Sequence, residues 1–582
     1  MADNSTLTTE PTYSLNNGDT AWVMICACLV FLMSPALGFF YAGLARAKNA
    51  LSLMYLTVLS VAVVSFQWYL IGYSLTFSET GGRFIGDSGN NKKRNIKKLS
   101  AKFITANFLL RGVGMKPALE GQTIPATAYM IFQAMFAALT PALAFGSAAE
   151  RMSLGPAIIF IFIWTTVVYD IITCWVWGPH GWLYQMGVMD YAGGTPVHIS
   201  SGLAAVAYAM VIGKRRDYHE NVNTPHNVSF VFLGLALMWF GWFAFNAGSA
   251  LAANARSVNS LVCTHLSACT AAIVWVLLDY RHTRKWSIIG LCTGAVAGLA
   301  TITPGSGFVS PSSSLAFGAI GSVVCYIAIY YKHKMRIDDA LDVFGVHYIG
   351  GLVGLVLTGV FAQQNIIALG YPEGTSLESI PIGGWLDGHW MQVPYQLAAI
   401  VSVSVWSFVV TYIILVIINK IPSLALRLVD EDEIIGTDWA QMGERAYGYL
   451  PFEEDEEADC YRRRSHIDPD VRSIAAGSGN HVQKHRFRNK IMKLLMSDKH
   501  TVIQGVPNLV EEPVLDYSQQ KELSGSTTTV HTTPSLVQNT RTKQDKEIEP
   551  VIIERYPMQT METDPSTAVQ TPEHSISSAS QK

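Results

Sequence analysis

Apolar residues in this chain arrive in long blocks separated by short polar punctuation. AWVMICACLVFLMSPALGFFYAGL runs from Ala21, and LSLMYLTVLSVAVVSFQWYLIGYSL runs from Leu51. Each exceeds the roughly 20 residues that a helix needs to cross about 30 Å of hydrocarbon. Lipid offers no hydrogen-bond partner to backbone N–H and C=O, so such blocks predict helices that satisfy their own backbone. The pattern predicts spans near 21–44, 51–76, 126–146, 154–177, 197–213 and 228–250. Further spans follow near 258–278, 286–302, 314–332, 344–363 and 394–419. The expected fold class is therefore an all-α polytopic membrane protein of about eleven transmembrane helices.

Composition agrees. The 582 residues are 50% hydrophobic and only 15% charged, whereas soluble chains carry about 25% charged residues. The eight cysteines form no CxxC pair, and all but Cys460 lie in or near apolar segments, so free thiols are expected and no metal site. The residues before Ala21 include Asp3, Glu10 and Asp19 and lack a basic stretch, so the first span is expected to be an uncleaved anchor.

Basic residues then sort the loops. Arg46 and Lys48; Arg151; Lys214, Arg215 and Arg216; Arg281, Arg284 and Lys285; and Lys332, Lys334 and Arg336 fall in one alternate set. The other set holds Arg256 alone across the N-terminus, 178–196, 251–257, 303–313 and 364–393. The positive-inside rule puts the N-terminus outside and the C-terminus inside, which fits an odd number of spans. The sequon at Asn4 would then be open to glycosylation. The basic segment NKKRNIKKLSAK, around 91–102, falls outside against the rule, which long loops are free to break. The expected organisation is an extracellular segment 1–20, a transmembrane domain 21–419, a cytosolic segment 420–450 and a disordered cytosolic tail 451–582. That tail carries an acidic run, a basic triplet and a Ser/Thr-rich end, a composition that cannot bury enough apolar surface to order itself. KHRFRNKIMKLLM, from Lys484, reads either as a basic amphipathic helix on the membrane or as a solvated stretch.

The first five spans echo the next five. FFYAGLARAKN from Phe39 matches GWFAFNAGSAL from Gly241, LTPALAFG from Leu139 matches TITPGSGF from Thr301, and DYAGGTPVH matches DVFGVH. A five-helix unit is odd, so its second copy enters from the opposite side. Inverted repeats of this kind place a conduction path at their interface, and one extra helix completes the count. The last match ends each half on a histidine within a span, His198 and His347. Alone, either reads equally as an interhelical hydrogen bond; at matched positions they point to a shared site facing a cavity. His265 and His180 have no matched partner and are read as structural.

Asp190 to His198, Trp242-Phe-Ala-Phe245-Asn246-Ala-Gly248-Ser249, Asp342 to His347, and Phe132-Gln133-Ala-Met-Phe136 leading into Ala149-Glu150-Arg151 together resemble the ammonium transporter (Amt/Mep/Rh) family. The resemblance covers about residues 18–450. Trp177 and the run from Gly241 are closer to the Amt/Mep branch, as a eukaryotic member with a long cytosolic tail.

The resemblance implies an ammonium transporter and no enzyme, with no cofactor. It implies a recruitment site for NH4+ made of Trp177, Phe136 and Ser249, an aromatic gate of Phe136 and Phe245, and a pore lined by His198 and His347. NH4+ would lose its proton near Trp177, NH3 would pass the gate, and the proton would follow a polar path that includes the histidines, which makes transport electrogenic. By residue type alone Trp177 fits an interfacial tryptophan and the phenylalanines fit core packing. Asp190 is expected to accept backbone N–H bonds at the start of span five and to make the vestibule negative, with Asp342 in the matching inner role. Gly436-Thr-Asp438 and Gly443-Glu444-Arg-Ala-Tyr447 are similar to the family's cytosolic segment, which couples the subunits of a homotrimer; Met442 stands where the family commonly has His. Expected partners are ammonium or ammonia, methylammonium as analogue, and the lipid bilayer of a cell membrane, but no nucleic acid. Other readings are an electroneutral Rh-type channel for NH3 or CO2, an ammonium sensor signalling through the tail, and an intramembrane enzyme, which lacks a nucleophile beside the histidines.

Overall fold

The computed structural model describes residues 14–78, 81–86, 108–119, 121–216, 218, 225–332, 334 and 337–447. The sequon at Asn4, the basic segment 91–102, Arg336, Cys460, the stretch from Lys484 and the tail 451–582 lie outside the described residues. Among the described residues the protein is all helical and contains no strand.

The principal helices are α1 (Asn17–Leu44), α2 (Ala47–Phe77), α3 (Ala126–Ala148), α4 (154–177), α5 (Gly194–Ile212), α6 (Val228–Ala250) and α7 (Ala255–Thr283). They continue with α8 (Ile288–Ile302), α9 (Pro311–Lys332), α10 (Phe344–Phe361) and α11 (Gln392–Lys420). All but α8 are long and apolar enough to cross a membrane; α8 is apolar but has 15 residues. Several start on a side chain able to take up their orphan N–H groups. Asn16 accepts from Gly18 and Asp19, Asn227 from Phe230, Asn254 from Ser257, and Ser287 from Gly290. The sequence expectation misses seven of the eleven helix starts by two to four residues, because apolar runs do not mark the polar cap that begins a helix.

The core is the inner lining of this bundle. Most of α3 and α5 is buried, whereas α7, α9 and α11 expose a broad apolar face, as expected where lipid or another chain replaces water as the neighbour. Helices α5 and α10 approach closely because two positions have no side chain. A Cβ on Gly202 would lie 2.6 Å from the Tyr348 backbone nitrogen, and one on Gly351 would lie 2.9 Å from the Gly194 carbonyl oxygen. That contact sets the spacing of the histidines carried by these two helices.

At one end of the bundle, four of the basic loops meet in a buried ion network. Glu150 accepts from Arg46 (2.8 Å) and Arg215 (3.0 Å), and Arg215 also pairs with Asp338 at 2.8 Å. Arg151, fully buried, donates to the carbonyls of Gly213, Ser147 and Asp338. Burial would raise the Glu150 and Asp338 carboxyls, but the surrounding guanidinium groups of Arg46, Arg151 and Arg215 outweigh it and hold both below their ordinary values. Residues 426–447 dock on the same end. Asp438 accepts the backbone N–H of Leu51 (2.8 Å) and Ser52 (2.7 Å) near the start of α2, and Glu433 binds Arg427. The Tyr447 hydroxyl bonds His226 Nε2 at 2.9 Å. This segment, expected to touch a neighbouring subunit, is thus engaged with loops of its own chain. Met442 packs half-buried against the core.

Candidate functional site

His198 and His347 are brought together. Their Nδ1 atoms lie 3.2 Å apart, and the rings stack with centroids 5.3 Å apart and 22° between planes. Both are buried. Each sits in a π-helical turn, Gly194–Ile199 in α5 and Phe344–Tyr348 in α10. The wider turn frees a carbonyl and rotates the following side chains, a feature common at functional sites.

Each turn is anchored by an aspartate eight residues before its histidine. Asp190 accepts four bonds: Gly193 N (2.9 Å) and Gly194 N (2.7 Å) to Oδ1, and Thr195 N and Oγ1 (both 2.6 Å) to Oδ2. Gly193 has φ +115°, the left-handed region that lets consecutive N–H groups converge on the carboxylate. In the second half this position belongs to Asp339, whose Oδ2 accepts from Phe344 N at 2.8 Å. Asp342 does not have the matching role expected of it. It stands at φ +61°, more than a third exposed, in an ion pair with Lys332. The sequence match started from DVFGVH and missed that the eight-residue spacing reaches back to Asp339.

An aromatic file leads to the histidines. The Trp177 ring is half-buried, and its Nε1 donates to the Asp190 carbonyl at 2.8 Å, which fixes the indole. Phe136 meets Trp177 edge-on at 6.0 Å and stacks on Phe245 at 4.0 Å and 22°. Phe245 lies 6.4 Å from the His198 ring. Ser249, one turn further along α6, donates its hydroxyl to the Phe245 carbonyl at 2.9 Å, which leaves its oxygen lone pairs as acceptors. Trp242, which has no expected role of its own, stacks on His198 at 5.5 Å, and its Nε1 donates to Thr303 Oγ1 at 2.9 Å. His265, read as structural, contacts the Trp239 and Phe243 rings away from this file.

A cavity of about 80 Å³ adjoins Phe245 and both histidines and extends past Leu139, Leu143 and Val346 to Leu341 and Asp342, toward the end that holds the ion network. Its walls are mostly apolar, and Phe136 is not among them. The stacked phenylalanines therefore stand between Trp177 on one side and the histidine-lined cavity on the other. His198 Nε2 is buried with no hydrogen-bond partner. A neutral imidazole aimed into an apolar passage can meet a small uncharged polar molecule; a bare ion there would face a desolvation cost of tens of kcal/mol.

Comparison with known proteins bears on this arrangement. The family model described as Ammonium Transporter Family matches residues 21–447. The chain is 46% identical over 475 residues to "Ammonium transporter 1" of Schizosaccharomyces pombe, covering 82% of this chain and 91% of that one. It is 39% identical to "Ammonium transporter MEP2" of Saccharomyces cerevisiae, covering 77% and 87%. Among solved structures, Saccharomyces cerevisiae Mep2 superposes with a TM-score of 0.66 at 38% identity, over 77% of this chain and 96% of that one. Candida albicans Mep2 superposes with a TM-score of 0.64, also at 38% identity, over 75% and 91%. The chain belongs to the Ammonium Transporter Family.

Proposed function

We propose that the protein carries ammonium across a cell membrane, with the N-terminus outside and the basic loops inside. NH4+ rests at Trp177, where the ring face offers a cation–π contact worth about 0.5–2 kcal/mol and Ser249 offers an acceptor. It surrenders a proton there, and NH3 passes the Phe136–Phe245 pair and moves along His198 and His347. The proton crosses by a polar path that includes the imidazoles, so net charge moves. A potassium ion has no proton to give up and is refused. The observation that carries this reading is the Nδ1–Nδ1 contact between His198 and His347 at 3.2 Å, placed behind the stacked gate in an apolar cavity. Asp190 and Asp339 hold the two π turns, and Asp342 with Lys332 lies where the cavity ends.

Uptake of labelled methylammonium into cells that lack their own ammonium transporters tests the substrate class. Saturable uptake, competed by ammonium, is expected; no uptake above control cells would contradict it. An electroneutral channel of the Rh type would show the same uptake without current, and Trp177 favours the charged-substrate reading.

A further inference from the structure

A second polar cluster lies between α2, α3 and α4, outside the passage described above. Asp170, on α4, is completely buried, and none of the ion pairs among the described residues includes it. The Gln67 amide nitrogen donates to its Oδ2 at 2.7 Å and to Thr166 Oγ1 at 3.0 Å. Four neighbouring polar atoms have no hydrogen-bond partner: Asp170 Oδ1, Gln67 Oε1, Tyr169 OH and Thr173 Oγ1. Both helices widen at this point, α2 in the π turn Trp68–Gly72 directly after Gln67 and α4 in Thr165–Tyr169 directly before Asp170. The titratable groups around it are Tyr169 and Cys174 on α4, Tyr129 on α3 and Tyr73 on α2, and none is cationic.

A carboxylate at this depth, with one amide donor and no cation beside it, carries a costly charge that an arriving proton relieves, which makes it a strong proton acceptor. Asp170, Thr173 and Trp177 stand at i, i+3 and i+7 on α4 and share one face. Seven residues of helix separate the Asp170 and Trp177 backbones by about 10 Å, with Thr173, whose hydroxyl is unpartnered, between them along the axis.

We propose that Asp170 is the group that holds the proton given up by ammonium at Trp177, with the hydroxyls of Thr173 and Tyr169 relaying it. This rests on the transport reading above and deepens it. The ammonium N–H bond breaks with its electron pair left on nitrogen, giving NH3. Each hydroxyl accepts one proton and passes one on, and an O–H bond forms at Asp170 Oδ1. Passing that proton on to the polar path that crosses the membrane restores the carboxylate for the next ion.

Ammonium-minus-potassium infrared difference spectra of the full-length protein in proteoliposomes, with ammonium current measured on the same samples, test this. The expected result is an ammonium-dependent change in the C=O band of a protonated carboxyl. Asp170→Asn should abolish the band and lower the current at least roughly ten-fold, and Asp170→Glu should restore part of both. Wild-type current in Asp170→Asn, a band that survives the substitution, or a low current without any such band in the wild type would each overturn the proposal. If Asp170→Asn does not fold, Thr173→Val decides: a reduced current at unchanged melting temperature supports the relay, and a wild-type current overturns it. Absence of any ammonium current in the wild-type protein would instead overturn the transport reading itself.

Discussion

His198 and His347 are 149 residues apart in sequence and 3.2 Å apart at their Nδ1 atoms. Two neutral imidazoles in this contact share one Nδ1 proton, so one ring is the Nδ1–H tautomer and the other the Nε2–H tautomer. Moving that proton across the contact leaves the first ring short of a proton and charges the second, so the tautomers exchange only when the second ring gives up its Nε2 proton and the first ring gains one at its own Nε2, with neither ring displaced. The pair is thus suited to presenting a donor or an acceptor to the same cavity.

Removing one face of the gate should wet the passage. Phe245→Ala deletes the ring that stacks on Phe136 at 4.0 Å and adjoins the histidine cavity. Osmotic water permeability of proteoliposomes, measured by stopped-flow light scattering, is expected to rise several-fold over the wild-type protein. Unchanged permeability would mean that the barrier lies elsewhere.

Trp177 should act on affinity. Trp177→Leu keeps an apolar side chain but loses the ring face, a contact worth about 0.5–2 kcal/mol. That converts to a roughly 2- to 30-fold higher apparent KM for methylammonium uptake. An unaltered KM would return Trp177 to the role of an interfacial tryptophan.

Asp339 and Asp342 should separate on stability. Asp339 accepts the Phe344 N–H, and loss of a cap of this kind costs about 0.5–2 kcal/mol. Asp342 pairs with Lys332 at a partly exposed site, and Lys332 keeps the Asp339 carbonyl at 2.6 Å as a second acceptor. Asp339→Ala is therefore expected to lower the melting temperature in detergent by more than Asp342→Ala. The reverse order would restore Asp342 to the capping role.

Much of this was legible in the chain because hydrophobic blocks of 20 or more residues have few alternatives in lipid. The histidine pair was legible for a different reason: two ionisable residues at matched positions in two half-sequences are improbable as independent packing choices. Asp339 was not found because the second matched run begins at Asp342, in DVFGVH, and the anchoring residue lies before it. Trp242 and Asp170 were hidden by their type. A tryptophan in an apolar helix looks like core, and one acidic residue inside YDIITCWVW carries no hint that Gln67, about 100 residues earlier, bonds it. The docking of Asp438 on the start of α2 was likewise unreadable, because a charge near the end of a loop does not reveal which helix N-terminus it will cap.

The ion network should respond to acid in a defined direction. Glu150 and Asp338 are held below their ordinary values in the folded protein. Folding therefore favours their charged forms. Their stabilisation is complete above the unfolded-state pKa of about 4 and is lost as pH falls through the lowered folded values. Glu150→Gln with Asp338→Asn is expected to lower the melting temperature at pH 7 and to flatten its decline below about pH 5. A decline as steep as that of the wild-type protein would show that other groups govern acid unfolding.

The most direct test of the paired imidazoles is two-electrode recording of ammonium and potassium currents in one cell type, with wild-type protein and His198→Ala side by side. The wild-type protein should pass inward current in ammonium and none above background in potassium, and His198→Ala should lose that discrimination. A His198→Ala protein that is present at the membrane and still separates ammonium from potassium as the wild type does would contradict a histidine-governed pore.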